Sequence, residues 1–170
     1  MICTPIGSPP CQCSGRLAAA SIDIHTGLGP YGVGERIFAS FDPTLLPRAQ
    51  HWWGPLTSVH DGSSTSIPLT GPIQTALAQA CPRGSHIGVC PECGTWPNER
   101  VMPALRAEHW LHRRGSADPA QAAAIRHALT AAFYPEDDDW KRRVRQQGIE
   151  ACQQALAGLQ EPAEAATNAA

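Results

Sequence analysis

Residues 17–25 read LAAASIDIH and residues 85–92 read SHIGVCPE, and these two stretches decide the fold class. Each is short, apolar, rich in Ile or Val, and bounded by glycine or proline, which fits a strand buried on both faces, as in a parallel sheet. The segment between them, residues 26–72, is rich in Gly, Pro and Ser, with a weak strand at ERIFASF and the polar tract HDGSSTS. Loops of that length are commonly functional. From Pro72, PIQTALAQ predicts a short helix with proline at its start.

The C-terminal third is helical in pattern. Asp118, Pro119 and Gln121 supply an N-cap, a first-turn proline and a capping-box partner. Ala122, Ile125, Leu129 and Ala132 then recur at three- and four-residue steps. Another helix is predicted from the acids at Glu136–Asp139, which favour the positive end of the helix dipole. It carries Trp140, Val144, Ala151, Ala155 and Leu159 on one side, and Gly148 within it costs about 1 kcal/mol relative to Ala. The expected class is α/β, a partial parallel or mixed sheet with flanking helices. Three regions are expected: an irregular Cys/Pro-rich lead at 1–15, a domain at 16–160, and a disordered tail at 161–170.

Composition narrows the function. A chain of 170 residues suits one domain and can bury about 70% of its unfolded surface. Much of the 42% hydrophobic content is Ala, while Leu, Ile, Val and Phe together make up under a fifth of the residues, so the core is thin. With 13 basic and 15 acidic residues, no global field attracts nucleic acid or an anionic membrane. No apolar run approaches the roughly 20 residues of a membrane span, and the start lacks the pattern of a signal peptide. A cytoplasmic location is therefore expected, in which the seven cysteines are thiols or metal ligands before disulfides.

Three local signals compete. Gly27, Gly29 and Gly32 spell G-x-G-x-x-G after a strand, but Pro30 interrupts the loop and VGERIFASFDP is too short and strand-like for the helix a dinucleotide site requires. Cys90-x-x-Cys93 could clip zinc as a non-enzymatic module, with His109 and His112, Cys81, or the Cys11/Cys13 pair completing the site. The His spacing is tighter than the usual finger. Finally, Asp23 and His25 end the first strand and Glu92 ends the second, where sites in open α/β sheets lie. A His and a carboxylate arriving there together suit a metal ligand and a general base.

The last signal coincides with a resemblance. DIHTGLGPYG at 23–32 is followed in order by Arg48-Ala49, Trp53-Gly54, Gly62-Ser63-Ser64, Leu69-Thr70-Gly71, Glu92-x-Gly94-Thr95 and Ala104 to Ala107. Trp110 to His112, Ala132 to Tyr134, Asp139 to Lys141 and Ala155 to Leu159 continue the series. This pattern resembles an uncharacterised group within the zinc carboxypeptidase superfamily, near the succinylglutamate desuccinylase and aspartoacylase branch.

The resemblance implies that architecture and a zinc-dependent hydrolysis of a peptide or an N-acyl amino acid. By position His25 matches a zinc-ligand His, Glu92 matches the catalytic Glu, and Asp23 is placed to orient the imidazole. The departures are specific. No His in the chain begins the H-x-x-E motif that supplies the other two zinc ligands. The resemblance therefore implies the C-terminal half of such a domain, inactive by itself. Its uncovered sheet edges would then call for a second copy or a partner. At the catalytic Glu, Pro91 removes a ladder donor from an interior strand and Cys93 stands where the family pattern has an aromatic. Pro103 intrudes similarly into a helix.

Overall fold

The computed structural model describes residues 18–40, 42–68, 70–81, 85–114 and 118–161. The expected lead at 1–15, with Cys3, Cys11 and Cys13, lies outside them, as does the tail beyond Glu161. The order is β1 (Ala18–Ile22), β2 (His25–Gly27), β3 (Gly34–Phe38), α1 (Leu46–Trp53), α2 (Ile73–Ala80), β4 (Ser85–Gly94), α3 (Asn98–Arg114), α4 (Pro119–Phe133) and α5 (Asp138–Gln160). The architecture is α/β, with a mixed, mainly parallel sheet. No helix among the described residues is long and apolar enough to cross a membrane.

β4 is the central strand. β1 and β2 lie parallel along one side of it, with Ala18 opposite Ser85 and His25 opposite Glu92. β3 runs antiparallel along the other side, with Glu35 opposite Glu92 and Ile37 opposite Cys90. The register is common to β1 and β2, so they form one line of chain with a gap in its pairing. Pro91 causes the gap. The Asp23 N–H donates to the Val89 carbonyl at 3.1 Å. A parallel ladder then requires the N–H of residue 91 to donate to the Asp23 carbonyl, and proline has none.

Strand alternation divides the buried strand β4 between two environments. Ile87 and Val89 face an apolar cluster with Phe38, Ala49, Trp52, Trp53, Ala151 and Ala155. α1 and α5 therefore cover this face, and Trp53 is tied across it by Nε1 donating to the Ala151 carbonyl at 2.9 Å. α5 starts where the acids predict: the Asp137 carboxylate accepts from the N–H groups of Asp139 and Trp140. Its glycines have a packing role beyond the propensity penalty. A Cβ at Gly158 would lie 2.2–2.3 Å from the Trp52 ring, and one at Gly148 would lie 2.8 Å from Ile24 Cδ1.

The other face of β4 presents His86, Cys90 and Glu92. The expectation that LAAASIDIH is buried on both faces does not hold. Residues 19–23 are half-buried, and Ile24 and His25 are exposed. Among the described residues no strand pairs with the far edge of β1–β2. By contrast, the outer side of β3 is closed by Thr57, whose N–H and carbonyl bond to Arg36 and Phe38. α4 begins at Pro119 as predicted, although the Asp118 side chain makes no cap bond.

Candidate functional site

The site lies at the carboxyl end of the parallel strands, on the polar face of β4. Asp23 and His25 are two residues apart on one extended line, so both point to the same face. The register sets His25 beside Glu92, and continues to place Asp23 beside Cys90. Four chemically capable side chains thereby share one patch of sheet.

Glu92 is the buried member. Its Oε1 accepts the Leu28 N–H at 3.1 Å, and its Oε2 lies 3.7 Å from His25 Nδ1. Burial pushes its carboxyl above the ordinary 4.5 and Glu35 reinforces the rise, while the Leu28 N–H and His25 oppose it. His25 reaches solvent, with 51% of its side chain exposed, and its Nε2 lies 3.1 Å from Asp23 Oδ2. Asp23 is fixed in turn by Gln74 of α2, whose Nε2 donates to the same oxygen at 2.9 Å. The imidazole thus sits between two carboxylates, one half-buried and one buried.

The glycine loop serves this arrangement. Gly27, Gly29 and Gly32 all have positive φ, but the chain proceeds into antiparallel β3 and opens no helix, so the dinucleotide geometry is absent. The loop folds over the end of β4 instead: Gly32 N–H donates to the Gly94 carbonyl at 2.9 Å, and Gly94 N–H to the Val33 carbonyl at 3.0 Å. A Cβ at Gly94 would lie 2.1 Å from the Pro30 carbonyl oxygen, so only glycine admits this approach. Closure of the loop is what delivers the Leu28 N–H to Glu92.

Cys90 and Cys93 do not converge. Three residues apart on a continuous strand, they project from opposite faces of β4. Cys93 lies against Gly34, where a Cβ would come within 3.3 Å of its sulfur. Cys90 instead joins Asp23 and His25, whose ligand atoms lie within 4.8 Å of one another and of its sulfur. Its thiol is pushed up to about 12 by burial and by Asp23 and Glu92. That is opposite to the lowering that activates a cysteine nucleophile. His109 and His112 stand exposed on α3, outside this group.

Gln74 and Glu35 escape sequence reasoning. Glu35 is bound by the Thr57 hydroxyl at 2.6 Å and the Thr65 N–H at 3.1 Å, so the Ser/Thr-rich tract anchors β3 beside the site. Burial raises the Glu35 carboxyl, but these bonds outweigh it and hold the group below its ordinary 4.5. Alternation along ERIF does signal that Glu35 and Ile37 share a face; nothing in PIQTALAQ marks Gln74.

This constellation falls within a recognised domain. The model of the family described as a protein of unknown function, DUF2817, matches residues 12–147. The chain belongs to that family. The DUF2817 match takes in every element from β1 through α4 and all of Asp23, His25, Cys90 and Glu92. No curated protein and no solved structure matches the chain.

The donor types around His25 fit a divalent metal. A carboxylate oxygen, an imidazole nitrogen and a sulfur are ordinary zinc ligands, and bonds of about 2.0–2.3 Å set tetrahedral ligand atoms about 3.3–3.6 Å apart. The 3.1 Å between Asp23 Oδ2 and His25 Nε2 is close to such an edge.

Proposed function

We propose that this DUF2817 member is a metal-dependent amide hydrolase of the zinc carboxypeptidase type, acting on a peptide or an N-acyl amino acid. The observation that carries the reading is the registered pair His25–Glu92, with Glu92 buried and its proton affinity raised. A general base works best when its pKa lies near the operating pH, and burial moves Glu92 in that direction. In this reading zinc, when bound, lowers the pKa of water and polarises the scissile carbonyl.

The chain's own residues divide the remaining work. Glu92 takes a proton from the attacking water on Oε2 and delivers it to the leaving amine. The Leu28 N–H holds Oε1 and so fixes the orientation of the carboxylate. Asp23, held by Gln74, orients the His25 ring. The absence of H-x-x-E implies, on the resemblance alone, a chain inactive by itself; we propose slow turnover instead, because Asp23 and Cys90 stand beside His25 as further donors.

The test is release of free amine from a panel of short peptides and N-acyl amino acids, with zinc added and with zinc chelated. Zinc-dependent turnover that disappears in Glu92→Gln and in His25→Ala is the expected result. Turnover that survives in either variant, or none from the zinc-treated wild-type chain, overturns the hydrolase reading.

A further inference from the structure

We infer that Asp23, His25 and Cys90 form a three-donor site for a zinc-like divalent cation, with Asp23 and Cys90 as direct ligands beside His25. The inference rests on the metal-dependent reading above and names donors for it within this chain. It changes two roles. Asp23 passes from orienting the imidazole to binding metal, and Cys90 acts without Cys93.

The backbone assembles the trio. Asp23 and His25 share a face because they are two residues apart on one extended line. Cys90 shares that face because the β1–β4 register continues across the gap at Pro91 to His25 opposite Glu92. The ligand atoms already lie within 4.8 Å of one another. Tetrahedral edges are about 3.3–3.6 Å, so metal binding draws these atoms closer by at most about 1.5 Å.

The surrounding charge favours a cation. Glu92, beside His25, and Glu35, held by Thr57 and Thr65, face the same patch from directly opposed ladder positions, and like charges so placed repel. Arg36 projects from the other face of the sheet and donates to Glu150 at 2.8 Å, so it does not serve them. Oxygen, nitrogen and sulfur donors select zinc over magnesium or calcium, which take oxygen ligands. Three protein donors leave a fourth position open for water. As the metal–sulfur bond forms, the Cys90 thiol proton leaves to solvent.

Cobalt(II) titration of the reduced, metal-free full chain reads this directly. The wild type is expected to bind about one equivalent, with the intense visible bands of a tetrahedral site and a sulfur-to-cobalt charge-transfer band in the near ultraviolet. Cys90→Ser loses the charge-transfer band, while Cys93→Ser keeps it. Because Cys90 is buried, His25→Ala serves as the variant that leaves packing untouched. It weakens cobalt binding by more than about a hundredfold, as does Asp23→Asn, whereas loss of a partner that only orients a ligand costs about 10–100-fold. A charge-transfer band that persists in Cys90→Ser, a loss of about a hundredfold or less in His25→Ala or Asp23→Asn, or no cobalt binding at all overturns the inference. Failure of the hydrolase reading is separable: cobalt bands with this mutant pattern but no amine release keep the site and remove the catalysis.

Discussion

Two glycines of α5 should respond to the same substitution with opposite signs. Glycine in a helix interior costs about 1 kcal/mol relative to alanine, so Gly→Ala gains up to that amount wherever the methyl fits. At Gly148 the added Cβ would meet Ile24 Cδ1 at 2.8 Å. That atom is the end of a flexible side chain that is 46% exposed, and it can turn away. At Gly158 the Cβ would meet three atoms of the Trp52 indole at 2.2–2.3 Å.

Trp52 is 6% exposed and packed in the core, so the ring has little room to retreat. Restoring an ordinary contact near 3.4 Å requires a displacement of about 1.2 Å. Overpacking of that kind costs about 1–3 kcal/mol, and a rigid ring places it at the upper end. The net effect of Gly158→Ala is a loss of about 2 kcal/mol, and of Gly148→Ala a gain of about 0.5–1 kcal/mol. For a domain of this size each kcal/mol moves the melting temperature by about 2–4 °C. Gly158→Ala should therefore melt about 4–8 °C lower and Gly148→Ala about 1–4 °C higher, followed by circular dichroism at 222 nm and checked by urea midpoints. A Gly158→Ala chain that melts at or above the wild type would refute the claim that α5 is seated against α1 through this glycine.

Glu92→Gln should stabilise the metal-free chain at neutral pH even though it removes the proposed base. The Glu92 carboxyl titrates above its ordinary 4.5, so between those two values the folded chain holds a proton that the unfolded chain has released. Stability therefore falls as pH rises through that window, and the penalty is complete above it. Urea midpoints from pH 4 to pH 8 should decline less in the variant, and parallel curves for the two proteins would show that Glu92 carries no such penalty. Pro91→Ala restores the missing donor opposite the Asp23 carbonyl. The new bond, about 0.5–1.5 kcal/mol, is offset by about 0.4–1 kcal/mol of added freedom in the unfolded chain, so stability stays nearly level. The informative readout is amide exchange, in which residue 91 should be protected to the level of its β4 neighbours; fast exchange there would contradict the pairing assigned to the gap.

Asp23, His25 and Glu92 could be selected from the sequence because their chemistry and their places late in two apolar segments are local properties; the strand ends themselves differ, since β2 begins at His25 and β4 runs on to Gly94. The helices of the C-terminal third were equally legible, since the Glu136–Asp139 acids and the spacing of Trp140, Ala151 and Ala155 are features of a single segment. The Cys90-x-x-Cys93 spacing misled because a pair three residues apart converges on a turn but diverges on a strand, and β4 runs unbroken through both residues. Pro91 argued against that strand, and the structure accommodates it by leaving one rung of the ladder unmade.

The linear chain carries an inventory: two strand-forming segments, an α5 led by acids, a glycine loop and the reactive side chains late in those segments. Which of them meet is set by the fold. Cys90 joins Asp23 and His25 through a register between segments distant in the chain, and Gln74 reaches Asp23 from a helix whose sequence carries no functional mark. The physical reason is that alternation and periodicity are set by neighbouring residues, whereas register is set by the packing of Ile87, Val89 and Phe38 against α1 and α5.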